Sequence, residues 1–141
     1  MEDNFKLEII SPEKIIFSDS VKMVKIPSYE GDMSILKNHI SIITFLRPGI
    51  VKIEKKDGKE EIFFVQDGTI EFYDNVLVLL SSSVLNTKNL SKEFLDNLLQ
   101  NTENKLSNTD ITDEERYTLN HQLNSIKEIR IYTRFKSANS F

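Results

Sequence analysis

The sequence predicts a small all-β sandwich or barrel followed by an antiparallel two-helix hairpin. From Phe5 to about Leu80, short apolar groups rich in Ile, Val and Phe alternate with turn residues, which is typical of β-strands rather than of βαβ units. After Ser81, neither glycine nor proline occurs and Asn, Leu, Lys and Glu dominate, so long helices become possible. We therefore expect a β domain over residues 1–87 and a helical hairpin over residues 88–141.

Turn signals separate the expected strands. The segment "FKLEII" ends at Ser11-Pro12, and the segments "KIIFS" and "VKMVKI" follow it. The segments "GIVKIEKK" and "EEIFFVQ" are joined by Asp57-Gly58, a pair that favours a two-residue type I′ hairpin. Asp67-Gly68 and Asp74-Asn75 indicate two further tight turns.

Capping residues and apolar spacing predict the two helices. Ser91 is a candidate N-cap for the first, and Thr112 to Glu115 fit a capping box for the second. The short connection "SNTDI" favours antiparallel neighbours. The apolar stripe of the first helix is Phe94, Leu95, Leu98, Leu99, Thr102 and Leu106, and that of the second is Leu119, Leu123, Ile126, Ile129 and Ile131 or Tyr132.

Composition excludes several function classes. The net charge of -4 and the pI near 5.3 argue against nucleic-acid binding through the overall field. The absence of cysteine excludes disulfides, thiolate zinc sites and cysteine nucleophiles. No signal or transit peptide is readable, and the longest apolar run, Val76 to Leu80, is far too short to span a bilayer. Any membrane attachment is therefore expected to go through a partner.

Motifs for catalysis, metals or cofactors are also missing. The sequence has no phosphate-binding Gly-rich loop, no HExxH and no G-x-S-x-G. Its nearest constellation is Glu30, Asp32 and His39, which fits a solvated loop with one ordinary histidine better than a metal or acid–base site. His121 is expected to be solvated. We predict no catalytic residue, no metal ligand and no cofactor.

The segment "EGDMSILKNHISIITFLRPGIVKI" resembles the epsilon subunit family of F-type ATP synthases. That family has an acidic-Gly-acidic loop, a small residue with Ile-Leu, a His, a Thr and Leu-x-Pro-Gly before a strand. The matching residues here are Glu30-Gly31-Asp32, Ser34-Ile35-Leu36, His39, Thr44 and Leu46-Arg47-Pro48-Gly49. The likeness extends over "LEIISPEKIIFS" and "VQDGTIEFYDNVLVLL", and thus from Phe5 to about Leu85. The helical half matches only in architecture.

Two positions depart from the family pattern. Asp67-Gly68 stands where the family usually has two glycines, although the pair still supports a tight turn. Some bacterial relatives bind ATP through Ile/Leu-Asp-x-x-Arg-Ala, and here "LSKEFL" puts Ser91, Phe94 and Leu95 at the Asp, Arg and Ala positions. The resemblance therefore implies no nucleotide-binding site in this chain.

The resemblance implies a noncatalytic rotor subunit in the central stalk, between the gamma subunit and the ring of c subunits. It would couple proton-driven rotation to ATP synthesis on the cytoplasmic face of the bacterial inner membrane, and would touch the membrane only through the complex. The implied ring or stalk contacts are Glu30, Gly31, Asp32, Met33 and His39. Arg47 is expected to be a turn residue, and a partner contact is the open alternative, since exposed Arg is common both at interfaces and elsewhere.

The same resemblance implies that the C-terminal helices can reach the catalytic head of alpha and beta subunits and hinder ATP hydrolysis. Lys127, Arg130 and Arg134 would supply the positive charge, although complementing the helix dipole explains cations at this end equally well. A free-standing β-sandwich module that binds a ligand or a protein is the alternative interpretation. An enzyme ranks third.

Overall fold

The computed structural model describes residues 3–138, without the side chains of residue 89 and residues 132–138. Nine strands come first, followed by a 3₁₀ turn and two helices, which confirms the predicted fold class. The strands are β1 (Phe5–Ile10), β2 (Ile15–Ser28), β3 (Gly31–Leu36), β4 (Ile42–Phe45), β5 (Gly49–Lys55), β6 (Glu60–Val65), β7 (Thr69–Tyr73), β8 (Val76–Leu80) and β9 (Val84–Asn86). The 3₁₀ turn covers Thr87–Asn89, and the helices are α1 (Lys92–Leu106) and α2 (Asp113–Ala138).

The long strand β2 connects two groups of strands. The order is β4-β7-β8-β1-β2-β5-β6-β9, with β3 also paired to β2, and every pair is antiparallel except β1 with β8. The first part of β2 pairs with β1, while its last part pairs with β3 and β5. The register with β5 shifts between Val21 and Met23, the kind of irregularity that bends a strand. The predicted segments "KIIFS" and "VKMVKI" are therefore one continuous strand.

At this bend the sheet folds over the larger of two apolar cores. Alternate residues of both strand groups point into it, as the period of two requires. Phe5 of β1 meets Phe72 of β7 edge to face, with ring centroids 5.7 Å apart. The buried residues of this core are Phe5, Leu7, Ile9, Val21, Val24, Ile26, Ile35, Leu46, Val51, Ile53, Phe63, Val65, Ile70, Phe72, Leu77 and Leu79.

The type I′ turn predicted at Asp57-Gly58 does not form there, whereas Asp74-Asn75 does form a turn of this type. At Asp57-Gly58 only Gly58 has a positive φ, 82°, and Lys55 pairs through its N–H with the carbonyl of Lys59. This is a three-residue loop ending in a left-handed glycine. Asp74 and Asn75 both have positive φ, 49° and 60°, and join β7 to β8 directly. The type I′ prediction at Asp57-Gly58 was wrong, because both central residues of such a turn need positive φ.

Both predicted helix starts are confirmed. The Ser91 hydroxyl accepts the N–H of Phe94 at 3.1 Å, and the Thr112 hydroxyl accepts the N–H of Glu115 at 3.1 Å. The hydrogen bonds between the helices join Leu106 to Arg116 and Thr102 to Gln122. An ion pair joins Asp96 to Arg130. Since residue numbers fall on one helix as they rise on the other, the helices are antiparallel.

The hairpin packs on the strands β5, β6 and β9 through a second apolar cluster. Its buried members are Phe64, Leu95, Ile126 and Ile129. The predicted stripes are therefore correct at their centres. Phe94 and Ile131 were expected in them but are exposed, because the stripe is narrower than the spacing suggested. No helix within the described residues combines the length and the apolarity that a bilayer crossing needs.

Candidate functional site

The acidic-Gly-acidic segment begins as a turn and continues as a strand. Tyr29 and Glu30 form the turn between β2 and β3, and the Ser28 hydroxyl accepts the Glu30 N–H at 3.0 Å. Gly31 has a φ of 123°, which residues with a Cβ rarely adopt. The side chains of Glu30 and Asp32 are exposed beside it. The turn thus presents two carboxylates to solvent around a glycine.

Asp32 is held from behind by two cations. Arg47 donates from Nη2 to Asp32 Oδ1 at 2.9 Å, and Lys25 Nζ lies 3.9 Å from Asp32 Oδ2. The Arg47 side chain is only 15% exposed, whereas that of Asp32 is 54% exposed. Arg47, expected as a turn residue, therefore fixes the position of the Asp32 carboxylate.

Met33 and His39 are less exposed than the two carboxylates. Met33 is half-buried and packs on the β core. His39 follows β3 and sets its ring edge to face on Phe72, with centroids 5.8 Å apart. Its Nδ1 lies 2.7 Å from the carbonyl oxygen of Ile40. Within the part of the chain described, no three His, Cys, Asp or Glu side chains form a metal-binding group.

His121 was expected to be solvated, and that expectation was wrong. It is half-buried where α2 meets the β domain, and its ring lies 4.4 Å from that of Tyr117. Burial lowers the pKa of His121 below its usual 6.5, and the positive charge of Arg47 adds to this, against the opposing effect of Asp32. The helical spacing alone did not reveal that this face of α2 meets the turn.

An exposed apolar face is the feature that sequence reasoning missed. The apolar sheet face consists of Ile43, Phe45, Tyr73, Val76 and Leu80, on the outer side of β4, β7 and β8. Ile43, Phe45 and Tyr73 are 75%, 66% and 67% exposed. The signal was present in "SIITF" and "VLVLL", where apolar residues occupy both alternating positions of a strand that has only one buried side.

An open groove lies at one end of the apolar sheet face. Tyr29, Phe45 and Leu80 supply apolar walls, and Glu30, Asp67 and Glu114 supply carboxylates. This arrangement can hold an apolar anchor with basic neighbours. Large exposed patches of this kind usually mark a protein contact.

The basic residues of α2 differ in their environment. Lys127 is exposed. Arg130 Nη2 lies 3.4 Å from Asp96 Oδ1 of α1, so its charge is engaged within the hairpin. The side chain of Arg134 lies outside the described residues. The neighbouring Glu128 reaches Lys52 of β5 at 3.6 Å.

The start of α1 contains Ser91, Phe94 and Leu95, the residues at the positions of the nucleotide-binding motif that this chain lacks. Ser91 is the N-cap, Phe94 is exposed and Leu95 is buried in the interface between the hairpin and the β domain. Ser91 therefore serves capping, and Leu95 serves packing.

Residues 4–87 match the family described as the ATP synthase Delta/Epsilon chain, beta-sandwich domain. The ATP synthase epsilon chain of Pelagibacter ubique (strain HTCC1062) is 43% identical over 130 residues, covering 92% of this chain and 99% of the relative. That of Parvibaculum lavamentivorans is 31% identical over 134 residues, covering 92% and 98%.

Solved structures share the fold at low identity. A chain in the Euglena gracilis mitochondrial ATP synthase superposes with a TM-score of 0.75 at 19% identity, covering 94% of this chain and 83% of its own length. A chain in the Tetrahymena thermophila central stalk and c-ring structure gives 0.57 at 15% identity, with 91% and 95% coverage. With the family match over the whole β domain and a relative at 43% identity, the chain belongs to the ATP synthase epsilon chain family.

Proposed function

We propose that this protein is a noncatalytic rotor subunit in the central stalk of an F-type ATP synthase, where it couples rotation of the c-ring to ATP synthesis through gamma. Membership in the family supports the proposal, and the apolar sheet face carries it at the level of geometry. A monomer leaving Ile43, Phe45 and Tyr73 in water forfeits apolar burial that a partner surface would supply. The proposed occupant is the gamma subunit.

The acidic turn, residues 29–32, is the proposed contact with the c-ring. Exposed Glu30 and Asp32 can meet polar or basic loops of the ring, and Gly31 lets the backbone approach closely. Met33 supports the turn from the core side. His39 follows the opposite end of β3, which supports a contact with the stalk rather than with the ring as its proposed role.

The subunit is proposed to act by transmitting torque, with no bond chemistry of its own. It would lie on the cytoplasmic face of the bacterial inner membrane, attached through gamma and the ring. Lys127, Arg130 and Arg134 are the proposed contacts of the C-terminal helices with the alpha and beta subunits of the catalytic head. The capping and packing roles of Ser91 and Leu95 support the absence of a nucleotide site at the start of α1.

Recovery of gamma and c subunits from membranes tests the proposal. Tagged wild-type chain is expected to recover both. Replacing Ile43 and Phe45 by Lys is expected to abolish recovery, because charges on the apolar sheet face cannot be desolvated against gamma. Leu36→Lys, at an exposed leucine of β3 away from that face, is the matched control.

Thermal unfolding of the variants shows whether they fold. Because Ile43 and Phe45 are exposed, their replacement is expected to change the free energy of unfolding by no more than about 0.5 kcal/mol each. Full recovery of gamma and c by a folded Ile43→Lys, Phe45→Lys variant would refute this use of the apolar sheet face. Failure of the wild-type chain to recover either partner would refute the rotor assignment.

A further inference from the structure

The acidic turn contacts α2 through aromatic rings at one end and through charged groups at the other. Tyr29, the first residue of the turn, stacks on Tyr117 of α2, with ring centroids 6.1 Å apart and planes 21° from parallel. The Tyr117 ring in turn meets that of His121 one helical turn later. One end of the turn therefore rests on the helix.

The other end of the turn reaches the same helix through charge. Asp32 is bonded to Arg47, and both groups act electrostatically on His121. Next to them the Ser125 hydroxyl lies 3.4 Å from the carbonyl oxygen of Pro48. Pro48 directly follows Arg47, so the segment that holds Asp32 is itself seated on α2. The groups that face this junction are Lys25, Asp32, Arg47 and Lys52 from the β domain and His121 and Glu128 from α2.

Both tyrosines of the stack are half-exposed, at 47% for Tyr29 and 43% for Tyr117. The buried apolar contacts of the hairpin lie elsewhere, at Phe64, Leu95, Ile126 and Ile129. The stack therefore adds a minor share to docking of the hairpin. It is the part of the interface in which a side chain of the turn itself contacts α2.

We propose that docking of the hairpin and the shape of the acidic turn are thermodynamically linked through the Tyr29–Tyr117 stack, so that a docked α2 holds residues 29–32 ready for their partner. Coupling of this kind is reciprocal: a partner that binds the held turn favours the docked hairpin by the same factor. The second half rests on the proposed function, which names the c-ring as the partner. Asp32 can keep its Oδ1 on Arg47 while its half-exposed carboxylate meets the ring.

The linkage is first tested in the isolated chain. Because the sequence has no cysteine, two introduced cysteines, Lys56→Cys at the β5–β6 loop and Asn120→Cys on α2, can carry spin labels that report docking. The Gly31 amide resonance reports the turn. Tyr29→Ala is expected to raise the ratio of undocked to docked hairpin by about two- to tenfold, the range for an aromatic pair. Tyr117→Ala is expected to shift and broaden the Gly31 resonance.

The controls separate linkage from a loss of folding. Tyr117→Phe keeps the ring and is expected to behave as wild type. Tyr73→Ala removes a more exposed tyrosine from the apolar sheet face, away from the junction, and is expected to change neither readout. The double change Tyr29→Ala, Tyr117→Ala is expected to match the single changes, because either one removes the stack. A wild-type Gly31 resonance in folded Tyr117→Ala, or wild-type label distances in Tyr29→Ala, would overturn the linkage.

A second measurement adds purified gamma–c-ring subcomplex to the labelled chain. The docked fraction is expected to rise with binding in wild type, and to rise less in Tyr29→Ala. Binding that leaves the docked fraction unchanged would overturn the reciprocal half of the proposal. Absence of binding would instead contradict the proposed function, while the isolated-chain measurements would still decide the linkage itself.

Discussion

At the scale of single residues, Asp67 shows how one carboxylate fixes a loop. Its Oδ2 accepts the Ser82 hydroxyl at 2.6 Å, and its Oδ1 accepts the Ser81 hydroxyl at 3.0 Å and the Ser82 N–H at 3.2 Å. The bond from the Ser82 hydroxyl, more than the others, lowers the pKa of Asp67 below its usual 3.8, against the opposing effect of partial burial. The aspartate that replaces the usual glycine thus ties the end of β6 to the end of β8.

We expect Asp67→Asn to lower the free energy of unfolding by about 1 kcal/mol at neutral pH, a value reduced by solvent screening at this exposed position. The lowered pKa sets the sign with pH. The folded state binds fewer protons than the unfolded state, so the stabilisation is complete above about pH 3.8 and is lost as pH falls through the native pKa. Denaturant unfolding at pH 7 and near pH 2.5 checks this. A gap between wild type and Asp67→Asn that persists at low pH would contradict the ionic explanation.

The two carboxylates of the acidic turn are expected to respond differently to charge reversal. Glu30→Lys should change the free energy of unfolding by no more than about 0.5 kcal/mol, since this side chain is exposed. Asp32→Lys should cost roughly 1–3 kcal/mol, because the mostly buried Arg47 loses its acceptor. Both should weaken ATP-driven proton pumping in reconstituted enzyme. Unaltered pumping with Glu30→Lys would argue against the ring contact.

Features of single residues could be predicted where the interacting residues lie close together in the sequence. The caps Ser91 and Thr112 were predictable because each bonds a residue three positions away. Arg47 was not, since its partner Asp32 is fifteen residues distant. Gly49 was expected to begin the strand segment "GIVKIEKK", but not that a Cβ there would lie 2.6 Å from the side chain of Pro27. Only the fold brings these pairs together, so spacing in the chain could not reveal them.

At the scale of elements, strand positions were predicted better than strand limits. Period-two alternation located β1 and β5, because each buries one side, whereas β6 was located as an apolar run because it buries both sides. It divided β2 in two, because the chain crosses from one strand group to the other and its polar "SDS" falls where little is buried. The apolar sheet face went unnoticed for a related reason: β8 has apolar residues on both of its sides, so its sequence reads as that of a fully buried strand.

The ion pair between Asp96 of α1 and Arg130 of α2 suggests how α1 limits the contacts that Arg130 can make outside the hairpin. While α1 and α2 pack together, Arg130 is engaged by Asp96 and is less available to a catalytic subunit. We expect Asp96→Asn to strengthen inhibition of ATP hydrolysis in assembled enzyme by up to about fivefold, the range for an exposed ion pair. Glu103→Asn, which removes a charge from the exposed side of the same helix, is the control. Weaker inhibition in Asp96→Asn would mean that the pair positions Arg130 for the head instead.

At the scale of the whole molecule, the two apolar cores suggest two folding units. The larger core is closed by residues between Phe5 and Leu79 alone, with no helical residue. The hairpin shares the smaller core with Phe64 of β6. We therefore expect residues 1–87 to unfold cooperatively as an isolated fragment, with somewhat lower stability because Phe64 becomes exposed. Circular dichroism and a dispersed amide spectrum check this, and a fragment without a cooperative transition would place the boundary elsewhere.

The regulatory role expected of the hairpin is consistent with the same division. Among the described residues, its docking rests on few buried apolar side chains, Leu95, Ile126 and Ile129 against Phe64, together with the ion pair between Lys52 and Glu128 and a half-exposed tyrosine stack. An element attached this way can hold a second packing within a few kcal/mol, which a switch requires. In that second packing, Lys127, Arg130 and Arg134 would be turned toward the catalytic head.

We expect deletion of residues 88–141 to raise ATP hydrolysis by assembled enzyme while synthesis persists, because the β domain keeps the apolar sheet face and the acidic turn. Arg130→Ala with Arg134→Ala should reproduce part of the increase by removing charge from the hairpin. Lys105→Ala, which removes a cation from the last turn of α1, is the matched control. If the truncated and intact enzymes hydrolyse ATP at equal rates, the cations of α2 serve the helix dipole alone, and the weak docking of the hairpin has another purpose.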